Sequence, residues 1–322
     1  LKMENKRELV GNTPMIKISY TYEGENRYIY AKMEMYNLTG SIKDRVAYQI
    51  IKNAKQKGIL KDKMPIIEAT SGNTGIALSA LGAYYKHPVY IFMPDWVSKE
   101  RVELMKSYGA NVILISKEAG GFKKCLEEAE KLAKEKKGFW ANQFANTDNI
   151  LAHYETTGEE IIRDLPEKVS AFISGVGTGG TLIGIGKKIK KWDNNVEIIA
   201  LEPEKMPLIS QNKIIYKHKI EGIGDDFIPD LLDKNLLDEV ILVNDDDAIN
   251  MSRILAKDLG LGVGISSGAN IIASIIYQEK VNKPVITVFA DDNKKYLSTE
   301  LTKEIDKDNK FISNKIKLLD YE

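Results

Sequence analysis

The chain has 322 residues, 43% of them hydrophobic, with 46 basic and 46 acidic side chains that leave a formal net charge of zero. That size and apolar share suffice for one large or two medium domains with real cores. The balanced charge, without a basic stripe, gives no support to a nucleic-acid or anionic-membrane partner, and no apolar run approaches the length of a membrane span. No signal-peptide pattern opens the chain. Cys125 is the single cysteine, so no disulfide framework or Cys-x-x-Cys site exists, and His87, His153 and His218 lie too far apart in sequence for ligand spacing. A cytoplasmic α/β protein without a metal is the expectation.

Residues 1–12 read as a polar arm that ends in the turn of Val10, Gly11, Asn12, Thr13 and Pro14. A strand over 28–33 leads into Asn37, Leu38, Thr39, Gly40, Ser41, Ile42, Lys43, Asp44 and Arg45, where small and polar turn formers give way to a helix. Val46, Ile50, Ile51 and Ala54 fall on one buried face of that helix. Lys43 then sits in its first turn, an end whose dipole favours anions rather than a cation. Such a local cost often marks a site, but on these residues alone a lysine solvated beside Asp44 is the favoured reading.

Strands over 65–69, 89–93 and 111–115 alternate with helices over 74–85, 99–108 and 120–136. In the last helix Cys125 shares a face with Phe122, Leu126, Ala129, Leu132 and Ala133, which makes it a core residue. The rhythm resumes with strands over 169–174, 197–201 and 285–289 and helices over 181–191 and 245–259. This pattern predicts two doubly wound parallel-sheet units with a cleft between them.

Ligands of parallel sheets gather at the carboxyl ends of the strands, and three loops there are rich in small polar residues. Thr70, Ser71, Gly72, Asn73, Thr74 and Gly75 precede a helix, and their N–H groups and hydroxyls suit an anion, although ordinary helix capping uses the same residues. Gly175, Gly177 and Gly180 fit G-x-G-x-x-G after a strand, with Glu202 ending the next strand where a ribose-binding acid would sit, so a dinucleotide site stays open on this stretch alone. Gly264, Ile265, Ser266, Ser267, Gly268 and Ala269 read as a third loop before a helix over 270–277.

Taken together and in this order, the lysine stretch and the three loops resemble the cysteine synthase and cystathionine β-synthase family over about residues 8–300. Residues 151–157 and 221–224 add to the likeness, which is nearest to a stand-alone catalytic core of the cystathionine type. The resemblance implies a tryptophan synthase β-like fold (fold type II). It implies a smaller substrate-binding domain of residues 1–12 and 36–146, a larger cofactor domain of 13–35 and 147–302, and a charged tail over 303–322. It also implies pyridoxal 5'-phosphate held by Lys43 as a Schiff base, without haem. By the same resemblance Asn73 contacts the cofactor's phenolic oxygen, and Gly177, Thr178, Gly179, Gly180 and Thr181 cradle its phosphate. Ser266 meets its pyridine nitrogen, a neutral partner that suits elimination at Cβ. Thr70, Ser71, Gly72, Thr74, Gln143 and Gly222 bind the amino-acid substrate. Domain closure and a homodimer follow from the resemblance alone.

The family chemistry is β-replacement through an α-aminoacrylate, with Lys43 as general base at Cα. Asp225 and Asp226 depart from the pattern, since cysteine synthases carry Ala-Gly and cystathionine enzymes Tyr-Asp at these positions. Two solvated loop carboxylates is one reading. In the other, Asp225 faces the intermediate, repels hydrosulfide and acts as base for water, so that L-cysteine gives L-serine and hydrogen sulfide. A thiol nucleophile, cysteine synthesis from O-acetylserine and sulfide, cystathionine synthesis, and a catalytically silent binding module are the alternatives.

Overall fold

The computed structural model describes residues 9–304 and 310–322. The parts of the expected arm and tail at 1–8 and 305–309 lie outside the described residues. The strands β1 (Met15–Tyr22) and β2 (Glu25–Met33) pair antiparallel through a two-residue turn. Glu23 and Gly24 both have positive φ there, +49° and +84°, the geometry that follows the strand twist.

After β2 the chain crosses to a smaller unit: α1 (Lys43–Gln56), β3 (Ile66–Ala69), α2 (Asn73–Tyr85), β4 (Val89–Pro94), α3 (Lys99–Ser107), β5 (Asn111–Ile115), α4 (Gly121–Glu135) and β6 (Phe139–Trp140). Its four strands run parallel in the order β5-β4-β3-β6. β3 is buried on both faces, as its near-continuous apolar run requires. Ile66 packs with Val46, Ile50, Ile76 and Leu81 of α1 and α2, while Ile67 packs with Cys125 and Ala129 of α4, so helices cover both faces.

The chain then returns through α5 (Asp148–Ala152), a π-helical turn over His153–Thr157 and α6 (Gly158–Asp164). It continues with β7 (Ala171–Gly175), α7 (Gly180–Trp192), β8 (Glu197–Pro203), α8 (Leu208–Gln211), β9 (Glu239–Val243), α9 (Asp245–Leu259), α10 (Ile265–Val281) and β10 (Val285–Phe289). With a last strand, β11 (Ile316–Tyr321), the larger sheet has the order β11-β1-β2-β10-β7-β8-β9, parallel from β2 to β9, and α9 and α10 pack on one face while α7 packs on the other.

Two expectations change. The third polar loop is the start of α10 rather than a loop, because Gly264 takes an extended conformation at the N-cap and Ser266 falls in the first turn. The stretch after 303 is not simply a charged tail. β11 (Ile316–Tyr321) adds to the edge of the large sheet against β1, and Phe311 and Leu318 are buried. Leu318 is buried between exposed Lys317 and Leu319, but the exposed Leu319 breaks the polar–apolar alternation that would announce a strand.

A buried ion network fixes the lysine helix to the large unit. Arg45 donates to both oxygens of Glu34 and both oxygens of Glu160, and Lys32 pairs with Glu160 at 3.1 Å. Burial opposes ionisation of Glu160, but hydrogen bonds and charge from Arg45 hold its carboxyl at about 2.

Candidate active site

The carboxyl ends of β3, β7 and β10 open onto one cleft between the two sheets, about 830 Å³ of empty space. Lys43 lines it as the first residue of α1, half-buried. A strap after β10 holds its loop. Ile42 N donates to Ala290 O at 2.8 Å, Ser41 bridges Asp291, and Lys295 Nζ reaches Gly40 O at 2.8 Å. Asp44 accepts from Thr39 N and Thr39 Oγ1 at 2.9 and 2.8 Å, so this acid organises the turn instead of neutralising Lys43 in solvent. Desolvation lowers the Lys43 pKa, against the charges of Asp291 and Asp225.

Thr70, Ser71, Gly72, Asn73 and Thr74 line the small-sheet wall. Helix α2 starts there without a side-chain cap, which removes the simple capping explanation and leaves its first N–H groups facing the cleft. Thr74 Oγ1 donates to Gln143 Oε1 at 2.5 Å, Gln143 Nε2 donates to Ala69 O at 3.1 Å, and Gln143 N donates to Glu68 Oε2 at 3.0 Å. Burial pushes the Glu68 carboxyl up to about 8 although two backbone N–H groups bond it.

The large-sheet wall carries Gly177, Thr178, Gly179 and Thr181. Gly179 has φ +84° and precedes α7, which also lacks a side-chain cap. A Cβ on Gly177 would lie 2.5 Å from Gly222 O, so only glycine allows the two loops to meet. Gly180 does not line the cleft. A Cβ there would stand 2.0 Å from Asn149 Oδ1, and its N–H points to Thr178 Oγ1 at 3.4 Å. Ser266 and Gly222 line the cleft as expected. Glu202 is committed elsewhere: its oxygens accept from Ile209 N, Ser210 N and Ser210 Oγ at 2.7, 3.0 and 2.5 Å, so it cannot serve a ribose.

Of the two adjacent acids, Asp225 lines the cleft and Asp226 is exposed outside it. Burial raises the Asp225 carboxyl to about 6, with Asp226 adding to the rise and Lys43 opposing it. A half-buried carboxylate of raised pKa beside a lysine of lowered pKa marks the cleft as a candidate site for proton transfer.

Sequence reasoning missed several residues. Asn149 donates at 2.9 Å to both Gln143 O and Thr178 Oγ1 and so ties the two walls. His153 Nε2 stands 3.3 Å from Thr181 Oγ1. Asp291 Oδ2 accepts from Asn73 Nδ2 at 2.8 Å and from Tyr296 at 2.7 Å. Arg101 lines the cleft from α3, lies over the Tyr296 ring at 4.6 Å and pairs with Glu221. Asn73 Oδ1, Asn149 Oδ1, Asp291 Oδ1 and Arg101 Nε are buried without a hydrogen-bond partner, which in a native site marks places reserved for a ligand or for chemistry. Among the described residues no group of three His, Cys, Asp or Glu is placed to hold a metal ion, and no helix is long and apolar enough to cross a membrane.

Comparison with known proteins converges on one family, the pyridoxal-phosphate dependent enzymes, which match residues 6–291. A cysteine synthase of Staphylococcus aureus is 39% identical over 302 residues, covering 93% of this chain and 97% of that protein. A hydrogen sulfide-producing enzyme from Fusobacterium nucleatum has 49% identity and a TM-score of 0.95, covering 98% of this chain and 96% of that one. An aspartate-to-asparagine mutant of that enzyme has been solved in complex with an α-aminoacrylate intermediate. O-acetylserine sulfhydrylase isoform 3 from Entamoeba histolytica has 37% identity and a TM-score of 0.88, covering 98% and 96% of the two chains.

Proposed function

This chain belongs to the pyridoxal-phosphate dependent enzymes and acts at Cβ of an amino acid, and on that premise we propose that it takes L-cysteine, releases hydrogen sulfide and adds water to give L-serine. The cleft suits the cofactor. The uncapped start of α7 and the glycines Gly177 and Gly179 offer backbone N–H groups for a phosphate. Asn73, with its orphaned Oδ1, and Ser266 line the cleft and would partner the ring's polar atoms, and Lys43 would hold the aldehyde carbon. When bound, pyridoxal phosphate supplies the electron sink that acidifies Cα–H and lets a Cβ substituent leave.

The chain's own residues do the rest. The N–H groups and hydroxyls of Thr70, Ser71, Gly72 and Thr74, braced by Gln143, bind and orient the substrate carboxylate. Gly222 keeps the opposite loop clear of a side chain. Lys43, held below its usual pKa by desolvation, removes the Cα proton and later returns it. Asp225 takes the proton of the water that attacks Cβ. Its position in the cleft is the single observation that carries this reading. A carboxylate there also disfavours hydrosulfide, the anion that cysteine synthesis requires.

Support comes from the Fusobacterium relative, which produces hydrogen sulfide and whose Asp-to-Asn mutant holds an intermediate. Cysteine synthesis from O-acetylserine and sulfide is the second reading, favoured by the similarity to the Staphylococcus enzyme. Asp225→Asn decides between them. It should let sulfide leave once per site and then stall, whereas multiple turnovers at the parent rate would remove the base role. A cytoplasmic homodimer completes the proposal, from family resemblance, and sedimentation analysis tests the assembly.

A further inference from the structure

Arg101 and Glu221 face each other across the mouth of the cleft, from α3 of the small unit and from the loop that also carries Asp225. Arg101 is only 2% exposed, its Nε is buried without a partner, and its guanidinium lies over the Tyr296 ring. A Cβ on Gly72 would fall 2.4 Å from Arg101 Cδ, so the arginine presses directly on the loop assigned to the substrate carboxylate. Among the described residues that line the cleft, Lys43 and Arg101 are the only cations. Lys43 is committed to chemistry, and the first amino acid's carboxylate goes to the N–H groups of residues 70–74.

A second amino acid that attacks Cβ through its thiol must bring another carboxylate into the cleft. Burying it without a cation is unfavourable, and a charge-assisted bond to a guanidinium would offset that penalty. Arg101 is the cation available, and Glu221 occupies it. We propose that Glu221 determines nucleophile specificity: by neutralising Arg101 it denies a docking point to a second thiol amino acid and leaves water as the partner of Cβ. This inference rests on the water-addition reading above.

The two reactions balance alike. The Cβ–S bond of the first cysteine breaks and sulfide leaves. A new Cβ–O bond forms from water, or a new Cβ–S bond from a second cysteine, and in either case the nucleophile's proton passes to Asp225. Serine is the first product and lanthionine the second.

The test is the partition of organic product per sulfide released by the cofactor-loaded protein on L-cysteine, a ratio independent of overall rate. Glu221→Ala should move product from serine toward lanthionine by about tenfold, the weight of one charge-assisted hydrogen bond, with Glu221→Gln between it and the parent. Adding Arg101→Met to Glu221→Ala should return the partition to serine. Calorimetry with 3-mercaptopropionate, which has a thiol and a carboxylate but no amine to react, should show tighter binding to Glu221→Ala and not to the double variant. A partition unchanged in Glu221→Ala, or a shift that persists without Arg101, overturns the proposal. A parent enzyme that makes no serine from cysteine instead overturns the reading beneath it.

Discussion

Asn73 Nδ2 donates to Asp291 Oδ2 at 2.8 Å, and this contact spans the cleft. Asn73 opens α2 on the small sheet, Asp291 follows β10 of the large sheet, and the Tyr296 hydroxyl reaches the same oxygen at 2.7 Å. One buried carboxylate therefore fixes the Asn73 amide and adds negative charge near Lys43. Asp291→Ala would strand two buried donors at a cost of about 1–3 kcal/mol. The expected outcome is a lower melting temperature together with weaker cofactor retention. Retention and melting temperature equal to the parent would show that Asn73 orients without it.

The pH profile follows from Asp225. Burial raises its carboxyl to about 6, and it must be ionised to accept a proton from water. Serine formation should therefore rise as pH increases through about 6, and any residual serine formation by Asp225→Asn should show no such limb. An unchanged acidic limb in the variant would assign it to another group.

Gly177 stands where backbone meets backbone, since an added Cβ would lie 2.5 Å from Gly222 O. Gly177→Ala must push the 222 loop away or distort the turn before α7. Cofactor affinity should fall by about tenfold or more, the loss of one charge-assisted bond to the phosphate. Fluorescence titration of the cofactor-free protein measures it directly, and unaltered affinity would separate this glycine from phosphate binding.

Glu160 supplies a stability prediction with a definite sign. Its folded pKa of about 2 lies below the ordinary 4.5, so its contribution is present above the unfolded value and is lost as pH falls through the folded one. Glu160→Gln breaks a buried pair with Arg45 and should cost roughly 3–5 kcal/mol at neutral pH. The variant should also lose part of the parent's destabilisation between about pH 4 and 2, a difference that urea melts across pH can read.

Local chemistry made much of the site legible. Lys43 at a helix start and the residues of 70–74 and 177–181 form contiguous strings whose small and polar character is visible without a fold, and the cleft gathers all of them except Gly180. What stayed hidden depends on distant pairing. Arg101 and Glu221 come from separate units, and nothing near either signals the other. Asn149 acquires its role only when α5 brings it between Gln143 and Thr178. The choice between Asp225 and Asp226 required the path of one loop, because neighbouring residues of identical chemistry point to opposite environments. Glu202 misled for the same reason: its spacing suited a ribose, but α8 folds back and takes both oxygens. The strand β11 was masked by lysines and aspartates that a sheet edge tolerates.

On the proposed function water, with Asp225 as its base, replaces the thiol of L-cysteine. The most direct measurement supplies L-cysteine as sole substrate to the cofactor-loaded protein in water labelled with heavy oxygen, and quantifies sulfide and every organic product. Sulfide and serine are expected in equal amounts, with the label in the serine hydroxyl. Sulfide without labelled serine, or no sulfide alongside rapid cysteine formation from O-acetylserine and sulfide, would contradict that function.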